Sequence, residues 1–282
     1  MKKIIFVVLA LAASVSLFAS PLKILSHNEE LKVYNNLDRI DYIFEGMEDY
    51  AYIDRLGIGS DTWAVYFHSM TGNARELYRS HIYHDLWISK IRGAGMGSVS
   101  VNICGDSFLA PKVARSCHYL VHYLKDKYNV KKFVFVGASM GAFCALRYGE
   151  LYPQDVSCII AIAPNGDLKS MFAPKKDFIF AEAAEKSRKK FFPKEENVQK
   201  WNLYDDAEKL NMPVFLAISR EDEMVPVSQC DRFAHLMKHN CKFKYVRYDY
   251  GTHFQIFSKG FTDGFEWYQY GGKELEIIKG VL

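Results

Sequence analysis

The stretch Lys132-Phe133-Val134-Phe135-Val136-Gly137-Ala138-Ser139-Met140-Gly141 decides how this chain is read. A β-rich, mostly apolar run at 132–136 leads into G-x-S-x-G, and residues 142–151 continue with helical composition. An apolar run without polar alternation fits a strand buried on both faces, as in a parallel sheet. A serine between such a strand and a helix occupies a sharp, strained turn that lifts its hydroxyl above the sheet edge. Small residues two before and two after it let strand and helix pack closely. The helix N-terminus beneath adds positive potential where an oxyanion forms. Ser139 is the candidate nucleophile, and the N–H of Met140 is a candidate oxyanion donor.

Working outward, further β-rich runs lie at 62–67, 98–103, 158–162, 214–218 and 243–248. Helical patterns alternate with them. Val113, Cys117, Leu120, Val121 and Leu124 follow one helical face, and 228–237 is helical in composition. Residues 39–56 read as a leading antiparallel hairpin. The alternation predicts an α/β class: a doubly wound, mostly parallel sheet flanked by helices. Residues 167–210, charged and rich in Phe, read as a mostly helical insertion between two strands. Its aromatic residues fit either core packing or a cap over a pocket.

A serine hydroxyl needs a base to take its proton. His253 follows the last strand run, at the sheet edge where parallel α/β folds place ligands. The base needs an acid to hold its tautomer. Asp222, after the run at 214–218, fits through Asp222-x-x-Val225-Pro226, with Glu221 and Glu223 as its rivals. The second oxyanion donor is expected from the loop 68–73, at Met70.

Together these motifs resemble the α/β-hydrolase-fold serine hydrolases, in the esterase/lipase and prolyl-oligopeptidase-like group. The resemblance covers roughly residues 40–270. It rests on His68-Ser69-x-x-Gly72, Gly137-x-Ser139-x-Gly141, Asp222-x-x-Val225-Pro226 and Gly251-x-His253. It implies nucleophile, acid and base at Ser139, Asp222 and His253, in the chain order of that fold. It implies a small-molecule ester substrate and an acyl-enzyme intermediate, with no metal or organic cofactor. The family usually has His-Gly where this chain has His68-Ser69, and Gly where it has Ser219. A peptidase of the same fold and a non-catalytic hydrolase-like binding protein remain alternatives, since one fold hosts many functions.

Composition agrees with a globular chain. Of 282 residues, 49% are hydrophobic and 24% charged, which excludes intrinsic disorder. Thirty-six Lys and Arg against 33 Asp and Glu give +3, too balanced for a nucleic-acid binder. Residues 1–19 read as a removable signal peptide: Lys2 and Lys3, an apolar run of about 15 residues, then Ala19. The run is short of the roughly 20 residues that span a bilayer, so no stable membrane insertion is expected after cleavage. The expectation is an exported protein, periplasmic or secreted, with one domain over 20–282. An uncleaved N-terminal anchor is the alternative.

Other features read more plainly. The six cysteines are spaced singly and fit buried free thiols, with Cys230 and Cys241 flanking one helix. His118 and His122 form an i, i+4 pair that could bind a metal. Without a third ligand in view, the pair reads as partly exposed helix surface. Gly105-Asp106-Ser107-Phe108 resembles the serine motif of a different lipase family, but its partner D-x-x-H block is absent. It reads as a loop lining the substrate site.

Overall fold

The structure is a computed structural model that describes residues 21–29, 36–78, 82–173 and 178–271. The expected signal peptide at 1–19 lies outside the described residues. In chain order the elements are β1 (Leu22–Glu29), β2 (Leu37–Phe44), β3 (Met47–Asp54), β4 (Thr62–Phe67), α1 (Ile82–Gly93) and β5 (Gly97–Val101). Next come α2 (Pro111–Tyr128), β6 (Lys132–Ala138), α3 (Met140–Leu151), β7 (Cys158–Ile162), α4 (Leu168–Phe172), α5 (Ala181–Phe191) and α6 (Glu195–Lys200). The chain closes with β8 (Val214–Ser219), α7 (Val227–Leu236), β9 (Phe243–Tyr248) and α8 (Gln255–Gln269).

The nine described strands form one sheet in the order β1-β2-β3-β5-β4-β6-β7-β8-β9. From β5 through β9 every pairing is parallel, while β1, β2 and β3 pair antiparallel at one edge. The β2–β3 hairpin closes through Glu45 and Gly46, both at positive φ (+49° and +78°), as a two-residue turn requires. The inner parallel strands β4 to β8 are buried along nearly all their length, which is why most of them read as continuous apolar runs, while β9 at the sheet edge is only partly buried.

Helices cover both faces. On β7, Ile159 meets α3 at Gly149, while Ile160 and Ile162 meet α8 at Gly264 and Gly260. Adjacent strand residues thus point to opposite layers. A Cβ on Gly264 would lie 2.5 Å from Ile160 Cγ2, so the glycines of α8 are needed for close helix–sheet approach. That also explains why α8 is hard to read from sequence: glycine weakens a helical signal. α1 docks on α8 through stacked Trp87 and Phe261, with centroids 4.4 Å apart.

The structure adjusts several boundaries. β5 ends at Val101 instead of 103, because Ile103 and Cys104 take positive φ (+46° and +56°) and cannot continue the ladder. α3 starts at Met140, two residues before the expected run. Cys230 does not flank α7 but lies within its first turns, buried, while Cys241 is exposed. β1 and α1 add elements the periodicity did not reveal. Among the described residues no helix is long and apolar enough to cross a membrane.

α3 is tied to the β7–β8 insertion by a buried ion network. Arg147 donates to Glu150 Oε2 and to Asp206 Oδ2, each at 2.8 Å, and lies over the Trp201 ring. Burial pushes the Glu150 carboxyl up to about 8, against the pull of Arg147. A carboxyl whose folded pKa is raised stabilises the fold fully below its unfolded value and loses that contribution as pH rises toward the folded value. Wild-type protein is therefore expected to lose melting temperature relative to Glu150→Gln between about pH 5 and pH 8. Paired thermal melts across that range check it; a constant difference would contradict it.

Candidate active site

Ser139 sits at the junction of β6 and α3 with φ +54° and ψ −120°. Such a backbone costs of order 1–3 kcal/mol and persists only where neighbours over-determine it. Here they do. The Ser139 N–H donates to Ile162 O at 2.8 Å, and Phe143 N–H donates to Ser139 O at 3.1 Å. The flanking glycines are sterically required. A Cβ on Gly137 would fall 2.2 Å from Gly141 C, and one on Gly141 would fall 2.1 Å from Phe67 O. The elbow is a three-way contact between β6, α3 and the end of β4. Ser139 is partly exposed while Ala138 and Met140 on either side are buried.

Strain collects along the same sheet edge. Nine described non-glycine residues have positive φ; Glu45 sits in the β2–β3 turn and Asn129 caps α2, and the other seven are Thr71, Ile103, Cys104, Phe108, Leu109, Ser139 and Ala163. These seven lie on connections that leave the C-terminal ends of β4, β5, β6 and β7. Positive φ is unusual for a β-branched residue such as Ile103, and such outliers gather at functional sites.

His253 is brought to this edge by the loop after β9, which turns at Gly251 (φ +109°). Its Nδ1 lies 2.7 Å from Asp222 Oδ2, and both side chains are fully buried. Asp222 Oδ1 in turn accepts the N–H groups of Met224 (3.0 Å) and Val225 (2.7 Å). The rivals are assigned different work. Glu223 accepts the His253 N–H at 3.0 Å, and Glu221 accepts the Gly251 N–H at 3.0 Å. Asp222 alone faces the imidazole, while its neighbours clamp the histidine's backbone. Sequence reading missed these two roles, because three consecutive acids look alike until the loop is folded. Ser219, where the resemblance leads one to expect glycine, uses its Oγ to accept the Glu221 N–H at 3.1 Å.

Loop 68–73 is held by a carboxylate that sequence reading did not single out. Glu76 accepts Tyr66 OH (2.6 Å), Ser69 N–H (2.9 Å) and Ser69 OH (2.7 Å). The serine at 69 thus anchors the loop through its hydroxyl. Gly72 is needed beside it, since a Cβ there would lie 2.1 Å from Glu76 Oε2. His68 is buried with its ring nitrogens 2.8 Å from Ser69 O and from Asn102 O, tying the β4 and β5 loops together. The Met70 N–H makes no hydrogen bond to another described residue. The Met140 N–H lies in the first turn of α3, where no intrahelical acceptor exists. Met70, Met140 and Ser139 line one small cavity, with Phe108, Met171 and Phe178 among its apolar walls.

The loop after β5 links this site to the insertion. Asp106 Oδ1 accepts the Thr71 N–H at 2.7 Å, Asp106 O accepts the Ser187 hydroxyl, and Phe108 O accepts Trp201 Nε1–H at 3.0 Å. Ser107 is fully buried, so Gly105-Asp106-Ser107-Phe108 presents no accessible nucleophile. A second cavity of about 440 Å³ lies between Asp106, Thr71 and α5, and shares Phe180 with the first.

A family profile described as the alpha/beta hydrolase fold matches residues 62–192, the segment holding β4, the elbow and the start of the insertion. This chain has the α/β-hydrolase fold. Solved structures share it over most of their length. An esterase of Pyrococcus furiosus is 20% identical, with a TM-score of 0.60, covering 89% of this chain and 90% of that one. Est1E from Butyrivibrio proteoclasticus is 15% identical, with a TM-score of 0.62 over 83% and 99%. An S-formylglutathione hydrolase from Agrobacterium tumefaciens is 13% identical, with a TM-score of 0.61 over 88% and 99%. Comparison with curated proteins finds no match. In an α/β-hydrolase fold the C-terminal ends of the parallel strands carry the site, and here Ser139, Asp222 and His253 all lie on connections leaving that edge.

Proposed function

We propose that this chain is an exported serine hydrolase that cleaves a carboxylic ester through Ser139, His253 and Asp222. The observation that carries the reading is the buried His253–Asp222 pair at 2.7 Å, on the same sheet edge as the strained Ser139 elbow. Esterases among the solved structures of this fold support it. The export half rests on the basic and apolar order of residues 1–19.

In this mechanism Ser139 Oγ attacks the ester carbonyl carbon while His253 Nε2 takes its proton. Asp222 keeps the Nδ1 proton in place and stabilises the imidazolium. Charge on the carbonyl oxygen is met by the N–H groups of Met70 and Met140. His253 then protonates the departing alkoxide, leaving Ser139 acylated. A water that gives its proton to His253 releases the acid and restores the serine. The tight apolar walls around Ser139 favour a short acyl group.

The test is hydrolysis of p-nitrophenyl acetate, butyrate and palmitate beside a fluorogenic peptide amide. The expected result is turnover of the short esters, with palmitate and peptide far slower. Preferred peptide cleavage would make the chain a peptidase, and no turnover of any would favour a binding protein.

The Glu76 anchor gives a sharper check. Glu76→Gln replaces an acceptor of the Ser69 hydroxyl with an amide donor and loosens loop 68–73. Because Met70 N–H acts on the transition state, kcat is expected to fall about 10-fold with KM little changed. Steady-state kinetics on a short ester measure it; a change confined to KM would place Glu76 outside oxyanion support.

A further inference from the structure

The fold supplies the third side chain that the His118–His122 pair lacks in the sequence. Asp155, in the short turn between α3 and β7, places Oδ2 2.9 Å from His118 Nδ1 and Oδ1 3.1 Å from His122 Nε2. One candidate ligand atom from each of the three residues lies within 4.8 Å of the others. We propose that His118, His122 and Asp155 form a binding site for a divalent transition metal such as Zn²⁺.

The donor set is two imidazoles and one carboxylate, the kind of N/O set that zinc takes. Metal–ligand bonds of about 2.0–2.2 Å in a tetrahedron set neighbouring ligand atoms about 3.3 Å apart. Asp155 faces one histidine with each oxygen, at 2.9 and 3.1 Å, and the three ligand atoms lie within 4.8 Å of one another, so the widest pair must close by at most about 1.5 Å while the closest opens by a few tenths. The ligands are also held in place. Asp155 Oδ2 accepts Tyr148 OH at 3.1 Å, an outer contact of the type that orients metal-binding carboxylates. The His118 ring stacks on Tyr152, with centroids 4.0 Å apart and planes within 8°. The Asp155 side chain is 3% exposed, while that of His122 is 45% exposed. The carboxylate is fixed inside and solvent reaches the metal's open position.

The location assigns a role. α3 runs 12 residues from the Ser139 elbow to Leu151, about 18 Å. The cluster beyond its end is therefore near the opposite edge of the sheet from the nucleophile. Metal here would cross-link α2 to the α3–β7 connection and stabilise the fold without entering the chemistry.

The test is calorimetric titration of Zn²⁺ alone into the full chain after stripping with EDTA, with melts and ester hydrolysis in parallel. The expected result is one Zn²⁺ per chain at roughly micromolar Kd or tighter, a raised melting temperature, and unchanged hydrolysis. His122→Ala removes a half-exposed ligand and should weaken binding by about 100-fold or more. Its metal-free melting temperature should stay within about 2 °C of wild type. Asp155→Asn is the second variant and should also lose binding. Absence of saturable binding, or binding equal to wild type in both variants, would overturn the site and leave a hydrogen-bonded cluster. Zinc binding that persists at wild-type strength in both variants and inhibits hydrolysis would place the ion outside the cluster and would also overturn the proposal.

Discussion

Ser139→Ala is expected to lower kcat for a short p-nitrophenyl ester by about 10⁵–10⁶-fold, with KM changed little. In the proposed reaction acylation forms the bond between Ser139 Oγ and the acyl carbon and deacylation breaks it, so both halves need this atom. Ser107, the other serine in a motif-like setting, is fully buried. A residual rate above water is expected, because the Met70 and Met140 N–H groups and the pocket remain. The fold should persist, since alanine keeps both backbone hydrogen bonds that hold the elbow. Alanine bears the same strained φ of +54° as serine, so circular dichroism and melting temperature should be near wild type. Retained turnover in a folded Ser139→Ala protein would move the nucleophile elsewhere.

Asp222→Asn is expected to lower kcat by about 10⁴-fold while leaving the structure intact. The direction follows from the two carboxylate oxygens. Oδ1 accepts the Met224 and Val225 N–H groups, so an asparagine must place its carbonyl oxygen there. Its NH₂ then takes the Oδ2 position and donates to His253 Nδ1. That forces the imidazole proton onto Nε2, where it faces Ser139 and cannot accept the serine proton. The variant should therefore be well folded and nearly inactive, with a wrong tautomer that nitrogen-15 NMR of His253 can report. An Asp222→Asn enzyme within tenfold of wild type would show that another group orients the base. Glu221 and Glu223 are poor substitutes, because their carboxylates already accept the Gly251 and His253 N–H groups.

Much of this site was legible in the sequence because local rules point to it. G-x-S-x-G between a buried strand and a helix is readable, since the glycines answer a steric demand of the turn itself: Gly137 against Gly141, and Gly141 against Phe67 O. The inner strands β4, β6, β7 and β8 were readable because burial on both faces leaves apolar runs without polar alternation. What was not legible depends on contacts between distant segments. Glu76 holds loop 68–73 only once Tyr66 and Ser69 are folded over it. Asp155 joins His118 and His122 from more than 30 positions away. The ends of β5 and the start of α3 shifted because positive φ at Ile103 and Ser139, a tertiary outcome, sets where ladder and helix stop or begin. β1 pairs only with β2, at the rim of the sheet, so its pattern carries less of the buried-strand signal.

The central claim, that Ser139 is activated by His253, is tested most directly by covalent labelling. A fluorophosphonate probe reacts with a serine whose proton is taken by a base, followed by intact mass and peptide mapping. The account predicts one adduct per chain, on the peptide containing Ser139, formed far more slowly in His253→Ala and absent in Ser139→Ala. A folded wild-type protein that takes no label, or takes it on another serine, would contradict it.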